Sequence, residues 1–397
     1  MKKPYQYFTV LLLTILFLFS SCNNLQEQQT NAPDSNDQQQ ESHPPETDNR
    51  LSLDNELSSD NHIYDDSSGE LLASNENEFI PGEHGQLAMA HILHIQEHFP
   101  YRLAFTYHEY YMALWLEETL LAMGFDESSI DTYTFPLEDI GWMRPLWGME
   151  LLIAAGDYDD LEKREYSQNI TLTLPGISDQ VILVVAHYDS VGTHGISDNA
   201  SGVALLLESI YRLKHIEHYY TLQFAFLGAE EIGLVGAFHF IEALTPAELD
   251  AIRLVVNADV LFDGPDLFFS TGYAPADWRE NTTSFTRYAN VYSNALTAHI
   301  EALASDLNYH QQLELIGEPR GIYLPTDQLA FLEFGIPVLV FAGMHSVPYP
   351  TLMEWDVLHT PDDNFYFLNE NFPGRMERSL YTFGIFLEAV LSMNGVY

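Results

Sequence analysis

Basic residues and cysteine are scarce in this sequence of 397 residues. It has 15 lysines and arginines against 58 aspartates and glutamates, which gives a formal net charge of −43 at pH 7. So acidic a surface repels polyanions, and we therefore exclude nucleic-acid partners. The single cysteine, Cys22, cannot form a disulfide within the chain. The apolar fraction of 46% is that of an ordinary globular protein and excludes disorder of the whole chain.

The N-terminus has the pattern of a secretory signal. Two lysines near the start precede an apolar run at residues 5–19, which is shorter than the ~20 residues of a membrane-spanning helix. The run ends in Leu-Phe-Ser-Ser-Cys at residues 18–22, which resembles the lipobox of bacterial lipoproteins, although Phe19 replaces the usual leucine. The resemblance predicts a signal peptide at residues 1–21 and an acylated Cys22 that anchors the protein to a bacterial membrane on its extracytoplasmic side. An uncleaved anchor and plain secretion are the alternatives.

The composition changes after Cys22. Up to about residue 80 the chain is rich in Gln, Asn, Asp, Ser, Glu and Pro and has very few large apolar residues. Such a segment cannot bury enough apolar surface to offset its conformational entropy, so residues 22–80 are predicted to be a disordered acidic linker. Residues 81–397 are predicted to form one large catalytic domain.

Apolar strands alternate with helices in this domain. Mainly apolar runs at residues 181–186, 222–227, 254–258 and 337–341 predict strands, and the run at residues 181–186 is continuous, which is typical of a strand that is covered on both faces. Helical patterns occur at residues 91–123, with a break at Pro100, and at 200–213, 235–244 and 380–391. The alternation predicts an α/β fold with a mostly parallel central sheet and helices on both faces. Functional residues of such sheets lie beyond the carboxyl ends of the strands.

Polar side chains follow these strands directly. His187 and Asp189 come after the first run, and their spacing of two points both side chains to the same side. Asp189 can then accept the imidazole N–H while the other ring nitrogen binds a metal. Asp198 precedes a predicted helix, and taken alone it would be interpreted as the N-cap residue of that helix. The adjacent Glu230 and Glu231 follow the second run, and two carboxylates at such a position need a compensating cation.

Two more residues complete the pattern, Asp259 after the third run and His359 in a late loop. The motifs follow one another as His-Tyr-Asp-Ser (187–190), Asp-Asn-Ala-Ser-Gly (198–202), Glu-Glu-Ile-Gly (230–233), Asn-Ala-Asp (257–259) and His-Thr-Pro-Asp (359–362). In this order and spacing they resemble the co-catalytic zinc aminopeptidases, the family of bacterial leucyl and Streptomyces-type enzymes.

The resemblance implies the zinc-dependent exopeptidase fold, two Zn²⁺ ions as cofactors, and hydrolysis of N-terminal residues from peptide substrates. The metal ligands that it implies are two histidines and three carboxylates: His187, Asp198, Glu231, Asp259 and His359. Asp198 would bridge the two ions. His187 and Asp259 would complete the ligands of one ion, and Glu231 and His359 those of the other.

Catalysis is implied for Glu230 and Asp189. Glu230 would be the general base that activates a metal-bridging water, and Asp189 would support His187. Members of the family usually have a cis peptide after the bridging aspartate, here Asp198. The charges agree with two ions, because +4 from the metals is nearly offset by −3 from the three carboxylate ligands.

The sequence departs from the family pattern at three places. Leu358 replaces a tyrosine that donates a hydrogen bond to the oxyanion in several relatives. Either the metal ions stabilise the oxyanion unaided or another tyrosine takes this role, and we rank Tyr323 ahead of Tyr273 and Tyr309. Gln328 replaces a frequent histidine, and there is no room for a protease-associated insert between Asp189 and Glu230. A histidine row at residues 91, 94 and 98 predicts a partly exposed helix face, since no carboxylates accompany it.

Two other functions remain open. One is a glutaminyl-cyclase-like aminoacyltransferase, which shares the implied fold and usually works with a single zinc. The other is a non-catalytic binding lipoprotein that has kept the peptidase scaffold. The complete ligand set and Glu230 favour hydrolysis over both.

Overall fold

The computed structural model describes residues 82–136, 163–271, 285–317, 326–346 and 356–394. The signal peptide, Cys22 and the linker predicted for residues 22–80 lie outside these ranges and stay predictions. Within the described ranges, no helix combines the length and the hydropathy needed to cross a membrane.

The described residues form one eight-stranded sheet. In chain order its strands are β1 (Ile130–Pro136), β2 (Tyr166–Leu174), β3 (Ser178–His187), β4 (Tyr220–Leu227), β5 (Ile252–Ala258), β6 (Asp266–Ser270), β7 (Leu315–Gly317) and β8 (Val338–Met344). Across the sheet the order is β1-β2-β4-β3-β5-β8-β6-β7. Strands that are distant in sequence are therefore neighbours in the sheet.

The four central strands are parallel. β4 pairs with β3, β3 with β5 and β5 with β8, each in the same direction. Each of the four contains one of the apolar runs that the sequence predicted as a buried strand, so the predicted parallel centre is confirmed. Because the strands run in one direction, their carboxyl ends meet at one edge of the sheet.

Helices cover both faces of this centre. The described helices are α1 (Gln86–His98), α2 (Tyr107–Ala122), α3 (Ser201–Leu213), α4 (Val235–Ala243), α5 (Pro246–Ala251), α6 (Phe285–Gln311), α7 (Gln328–Glu333), α8 (Phe365–Asn371) and α9 (Arg375–Leu391). Side chains of β3 alternate between two cores: Ile182 and Val184 share one with α3 and α9, and Leu183 and Val185 share the other with α4 and α7. Burying each such side chain contributes ~1.5–3 kcal/mol, which explains the continuous apolar run.

The flanks of the sheet include antiparallel pairs, which the apolar runs did not predict. β2 runs against β1 and β4, and β6 runs against β8. Only residues 175–177 connect β2 to β3, and so short a link reverses the chain, whereas parallel strands need a long crossover. Gly176 is required in this link because a Cβ there would lie 2.2 Å from the carbonyl carbon of Tyr220.

Candidate metal centre

The strand ends place the predicted site residues side by side. His187 is the last residue of β3, Asp259 directly follows β5, and the loop after β4 carries Glu230 and Glu231. Asp198 lies in the short helical segment Ile196–Ala200 ahead of α3. Because β4, β3 and β5 are adjacent and parallel, these loops converge on one edge of the sheet.

Asp198 lies between the two predicted histidine ligands. Its Oδ1 is 3.0 Å from Nε2 of His187, and its Oδ2 is 3.0 Å from Nε2 of His359. The two oxygens of one carboxylate thus face two different imidazoles, as a group shared by two ions would.

The other two carboxylates each approach one histidine. Asp259 Oδ1 lies 3.3 Å from Nε2 of His187, and Glu231 Oε2 lies 3.2 Å from Nε2 of His359. Ligand atoms of His187, Asp198 and Glu231 all lie within 4.8 Å of one another. All five predicted ligands are therefore together, divided between two histidines and joined at Asp198.

Unpaired polar atoms in this cluster fit a cation. His187 Nε2 and Asp259 Oδ1 are buried and make no hydrogen bond, although they lie 3.3 Å apart. Buried polar atoms without a partner are costly, and a cation among them removes the cost. Nitrogen and carboxylate oxygen donors are the set that catalytic zinc sites use.

Asp189 links the first histidine to the loop of the two glutamates. Its Oδ1 accepts a hydrogen bond from the backbone N–H of Glu230 at 3.0 Å, and its Oδ2 accepts one from Glu231 at 3.2 Å. Nδ1 of His187 lies 3.2 Å from the backbone oxygen of Asp189 and 3.4 Å from its Oδ1. The Asp189 side chain itself is fully buried.

Two local features fix the segment that carries Asp198. The peptide bond between Asp198 and Asn199 is cis, as the family resemblance implies, and the Asn199 side chain donates to the backbone oxygen of Ala258 at 3.0 Å. A Cβ at Gly202 would lie 2.2 Å from that same oxygen. Only glycine therefore lets the first turn of α3 approach the end of β5 so closely.

Negative charge is concentrated in this cluster. Burial, together with Asp198, raises the pKa of Glu231 to about 7. Burial also raises the pKa of Glu230 and that of Asp327, the buried N-cap residue of α7, well above their usual values. Burial opposes the ionised form of Asp198 as well, but the imidazoles of His187 and His359 bring its pKa below the usual value. Ionising all of these carboxyl groups together requires positive charge nearby.

Arg102 holds the loop between Asp189 and Asp198, and the motif analysis did not find it. Its fully buried guanidinium donates to the backbone oxygen of Tyr188 at 2.7 Å. It also donates to the oxygens of His194 at 2.7 Å, Gly195 at 2.9 Å and Phe99 at 3.1 Å. An arginine that follows a helix break carries no sequence signal of such a role.

Glu109 supports the loop that carries Glu230. This fully buried carboxylate accepts hydrogen bonds from Ser167 Oγ at 2.6 Å and from the backbone N–H groups of Phe105 at 2.7 Å and Ala229 at 3.1 Å. Thr106, the N-cap of α2, accepts from the backbone N–H of Glu109. The Thr-x-x-Glu spacing could have indicated this helix start.

Three further predictions from the sequence concern residues outside the proposed ligand set. Tyr323 lies outside the described residues, so its role as oxyanion donor stays a prediction. The Gln328 side chain accepts a hydrogen bond from Asn257 at 2.9 Å, which is a supporting position as expected. In the histidine row of α1, the His94 ring stacks on Trp115 with centroids 5.1 Å apart.

The fold and this centre define the class of protein. The sequence model of Peptidase family M28 matches residues 169–383, more than half of the chain, and includes every predicted ligand and Glu230. The chain belongs to Peptidase family M28. A curated relative, the probable lipoprotein aminopeptidase LpqL of Mycobacterium tuberculosis, is 43% identical over 94 residues, which are 23% of this chain and 19% of the relative. The chain spans about a fifth of the length of the curated aminopeptidases that it matches at 37–43% identity.

Solved structures share the fold over most of the chain. The zinc aminopeptidase BSAP of Bacillus subtilis superposes with a TM-score of 0.58 and 16% identity, covering 80% of this chain and 97% of that chain. A glutaminyl cyclase of Porphyromonas gingivalis superposes with a TM-score of 0.55 and 18% identity, covering 78% of this chain and 98% of that chain. These likenesses confirm the predicted fold.

Proposed function

We propose that this protein is a zinc aminopeptidase that hydrolyses N-terminal residues from peptides. The observation that carries the proposal is the Asp198 carboxylate, whose two oxygens each lie 3.0 Å from a different histidine. A binding protein has no need of a carboxylate shared in this way, or of Glu230 beside it. The zinc aminopeptidase BSAP, which has the same fold, and the aminopeptidase LpqL support the proposal.

The centre would hold two Zn²⁺ ions. His187, Asp198 and Asp259 would bind one ion, and Asp198, Glu231 and His359 would bind the other. Zinc bound there would polarise the scissile carbonyl and lower the pKa of water. Two ions bring +4 and the three carboxylate ligands bring −3, so the charge that burial disfavours is offset.

Glu230 is the proposed proton carrier. Its backbone N–H donates to Asp189, and its carboxyl group is close enough to His187 and Glu231 for their charges to affect its pKa. It would take a proton from the attacking water and give that proton to the nitrogen of the leaving amine. Asp189 touches no reacting atom in this scheme, because its carboxylate positions His187 and Glu230.

We also propose that the protein is a lipoprotein, anchored through acylated Cys22 to the extracytoplasmic side of a bacterial membrane. The lipobox-like residues 18–22 support this, and so does the name of LpqL, a probable lipoprotein aminopeptidase.

A panel of aminoacyl-p-nitroanilides tests the activity. The zinc-loaded chain should release p-nitroaniline, should lose that activity with a chelator, and should regain it with zinc. N-acetylated versions of the same substrates are the matched control and should not be hydrolysed. Parallel incubation with an N-terminal glutaminyl peptide tests the glutaminyl cyclase alternative. Ring closure without release of free amino acids from any substrate would overturn the aminopeptidase proposal.

A further inference from the structure

Two buried carboxylates outside the proposed ligand set contact the segments that carry His359 and Asp198. Asp263 follows β5 and is fully buried. Its Oδ1 accepts hydrogen bonds from the backbone N–H groups of Val357 at 2.7 Å and Leu358 at 2.8 Å, and its Oδ2 accepts one from Asp356 at 3.1 Å. These three N–H groups immediately precede His359, so one side chain fixes the approach of this ligand.

Asp363 contacts the backbone of the segment that carries Asp198, whose carboxylate lies against the His359 ring. Its side chain is buried, with 1% exposed. Oδ1 accepts a hydrogen bond from the backbone N–H of Ser197 at 2.6 Å, and Oδ2 accepts one from Asp198 at 3.1 Å. Asp363 thus fixes the backbone from which the shared carboxylate projects.

The two carboxylates contact the backbone segments that carry His359 and Asp198, whose side chains meet in the proposed centre. His359 has a left-handed backbone with φ 55°, which a non-glycine residue adopts only when its surroundings hold it. Its ring nevertheless reaches Asp198 Oδ2 at 3.0 Å. A carboxylate can accept several N–H groups at once, whereas an amide offers one oxygen and turns an N–H₂ towards the remaining donors.

We propose that Asp263 and Asp363 are positioning residues that set the His359–Asp198 contact and thereby the metal affinity of the centre. Asp263 acts through His359, and Asp363 acts through Asp198. The proposal rests on the two-ion centre described under the proposed function. It adds two residues that bind neither metal nor substrate.

The two residues should have different effects on metal binding. Because Asp198 would be shared, Asp363→Asn should weaken the binding of both ions. Because His359 would serve one ion, Asp263→Asn should weaken one ion and leave the other as in the wild type. Loss of a group that orients a metal ligand commonly costs ~10- to 100-fold in affinity. A general loss of folded structure would not separate the two ions in this way.

Zinc binding to the full chain tests this directly. The metal-free wild type, Asp263→Asn, Asp363→Asn and the control Asp362→Asn are equilibrated at graded, buffered free zinc, and bound zinc is measured by mass spectrometry. Asp362 is the matched control because it adjoins Asp363, is exposed, and loses the same charge. Asp362→Asn should bind as the wild type does. Asp263→Asn should show one weakened site, and Asp363→Asn should show two.

Unfolding temperatures and a second pair of variants, in which glutamate replaces aspartate, distinguish a loss of zinc binding from a loss of the fold. The rise in unfolding temperature on adding zinc, measured from each variant's own metal-free value, should shrink in both variants, and more in Asp363→Asn, but not in Asp362→Asn. If an Asn variant does not fold, Asp263→Glu and Asp363→Glu retain charge and both acceptor oxygens and should show the same one-site and two-site pattern. Wild-type zinc binding in the Asp363 variant, or equal weakening of both sites by the Asp263 variant, would overturn the proposal. Zinc binding is measured without turnover, so failure here is distinct from failure of the aminopeptidase assay.

Discussion

Asp189 and Glu230 are joined by a hydrogen bond of 3.0 Å from the backbone N–H of Glu230 to Oδ1 of Asp189. The same carboxylate accepts from the backbone of Glu231 and lies against the ring of His187. One side chain on the loop after β3 therefore positions the proposed base, a proposed ligand after β4 and the histidine at the end of β3.

Asp189→Asn should lower kcat/KM by ~10- to 100-fold, because the amide group cannot accept both backbone N–H bonds. Steady-state kinetics on the best aminoacyl-p-nitroanilide measure the effect. Asp179→Asn, a change of the same charge at an exposed position, is the control and should leave the kinetics unchanged. Wild-type kinetics in the Asp189 variant would show that positioning by this carboxylate is dispensable.

Glu230→Gln should keep its zinc and lose ~10² to 10⁴-fold in kcat, because glutamine cannot accept and return a proton. Zinc content and kcat are measured on the same preparation. The exposed Glu217→Gln serves as the control. Turnover near that of the wild type would refute the assignment of Glu230 as the base.

Asp198→Asn should reduce the binding of both zinc ions, whereas His359→Ala should chiefly reduce the one also bound by Glu231. The reason is that Asp198 faces both histidines and His359 does not. Metal content per chain by mass spectrometry distinguishes the two patterns. His108→Ala, which changes an exposed helix residue, should retain full content. Full occupancy in both centre variants would contradict the proposed ligand map.

Arg102→Met should lower the free energy of unfolding by ~3 kcal/mol or more. The change leaves four backbone oxygens without the donors that they now have, and each buried unsatisfied acceptor costs ~1–3 kcal/mol. Denaturant unfolding of the metal-free chain measures the change without a contribution from zinc. Arg378 is exposed and donates to one backbone oxygen, so Arg378→Met should stay within ~0.5 kcal/mol of the wild type. Equal stability of the two variants would show that the Arg102 contacts contribute little.

Cys22→Ser should move the protein out of the membrane fraction of a bacterial host, because no acyl chain can then be attached. Immunoblots of membrane and soluble fractions measure the shift. Limited proteolysis of the membrane-bound wild type should release an active domain that begins near residue 81. Activity that disappears when the linker is cleanly removed would show that part of residues 22–80 folds with the domain.

The parallel centre of the sheet could be predicted because a strand that is covered on both faces must be apolar at every position. β3 meets this condition, and its run at residues 181–186 is unbroken. β1 lies at the edge of the sheet and has four consecutive exposed residues, 131–134, so it offers no such run. Its pairing with β2, like that of β6 with β8, depends on contacts between distant parts of the chain.

The sequence alone determined which residue types the centre contains, since the order of the motifs around His187, Asp198 and Glu230 identified the proposed ligands and base. Only the tertiary structure decided which groups hold them. Asp263 and Asp363 are acids in loops. Asp263 lies 94 residues from Val357, and Asp363 lies 166 residues from Ser197, whose backbones they bind. A metal ligand acts through the chemistry of its side chain, which can be read from the sequence. A backbone acceptor contributes through its position, which exists only once the chain has folded.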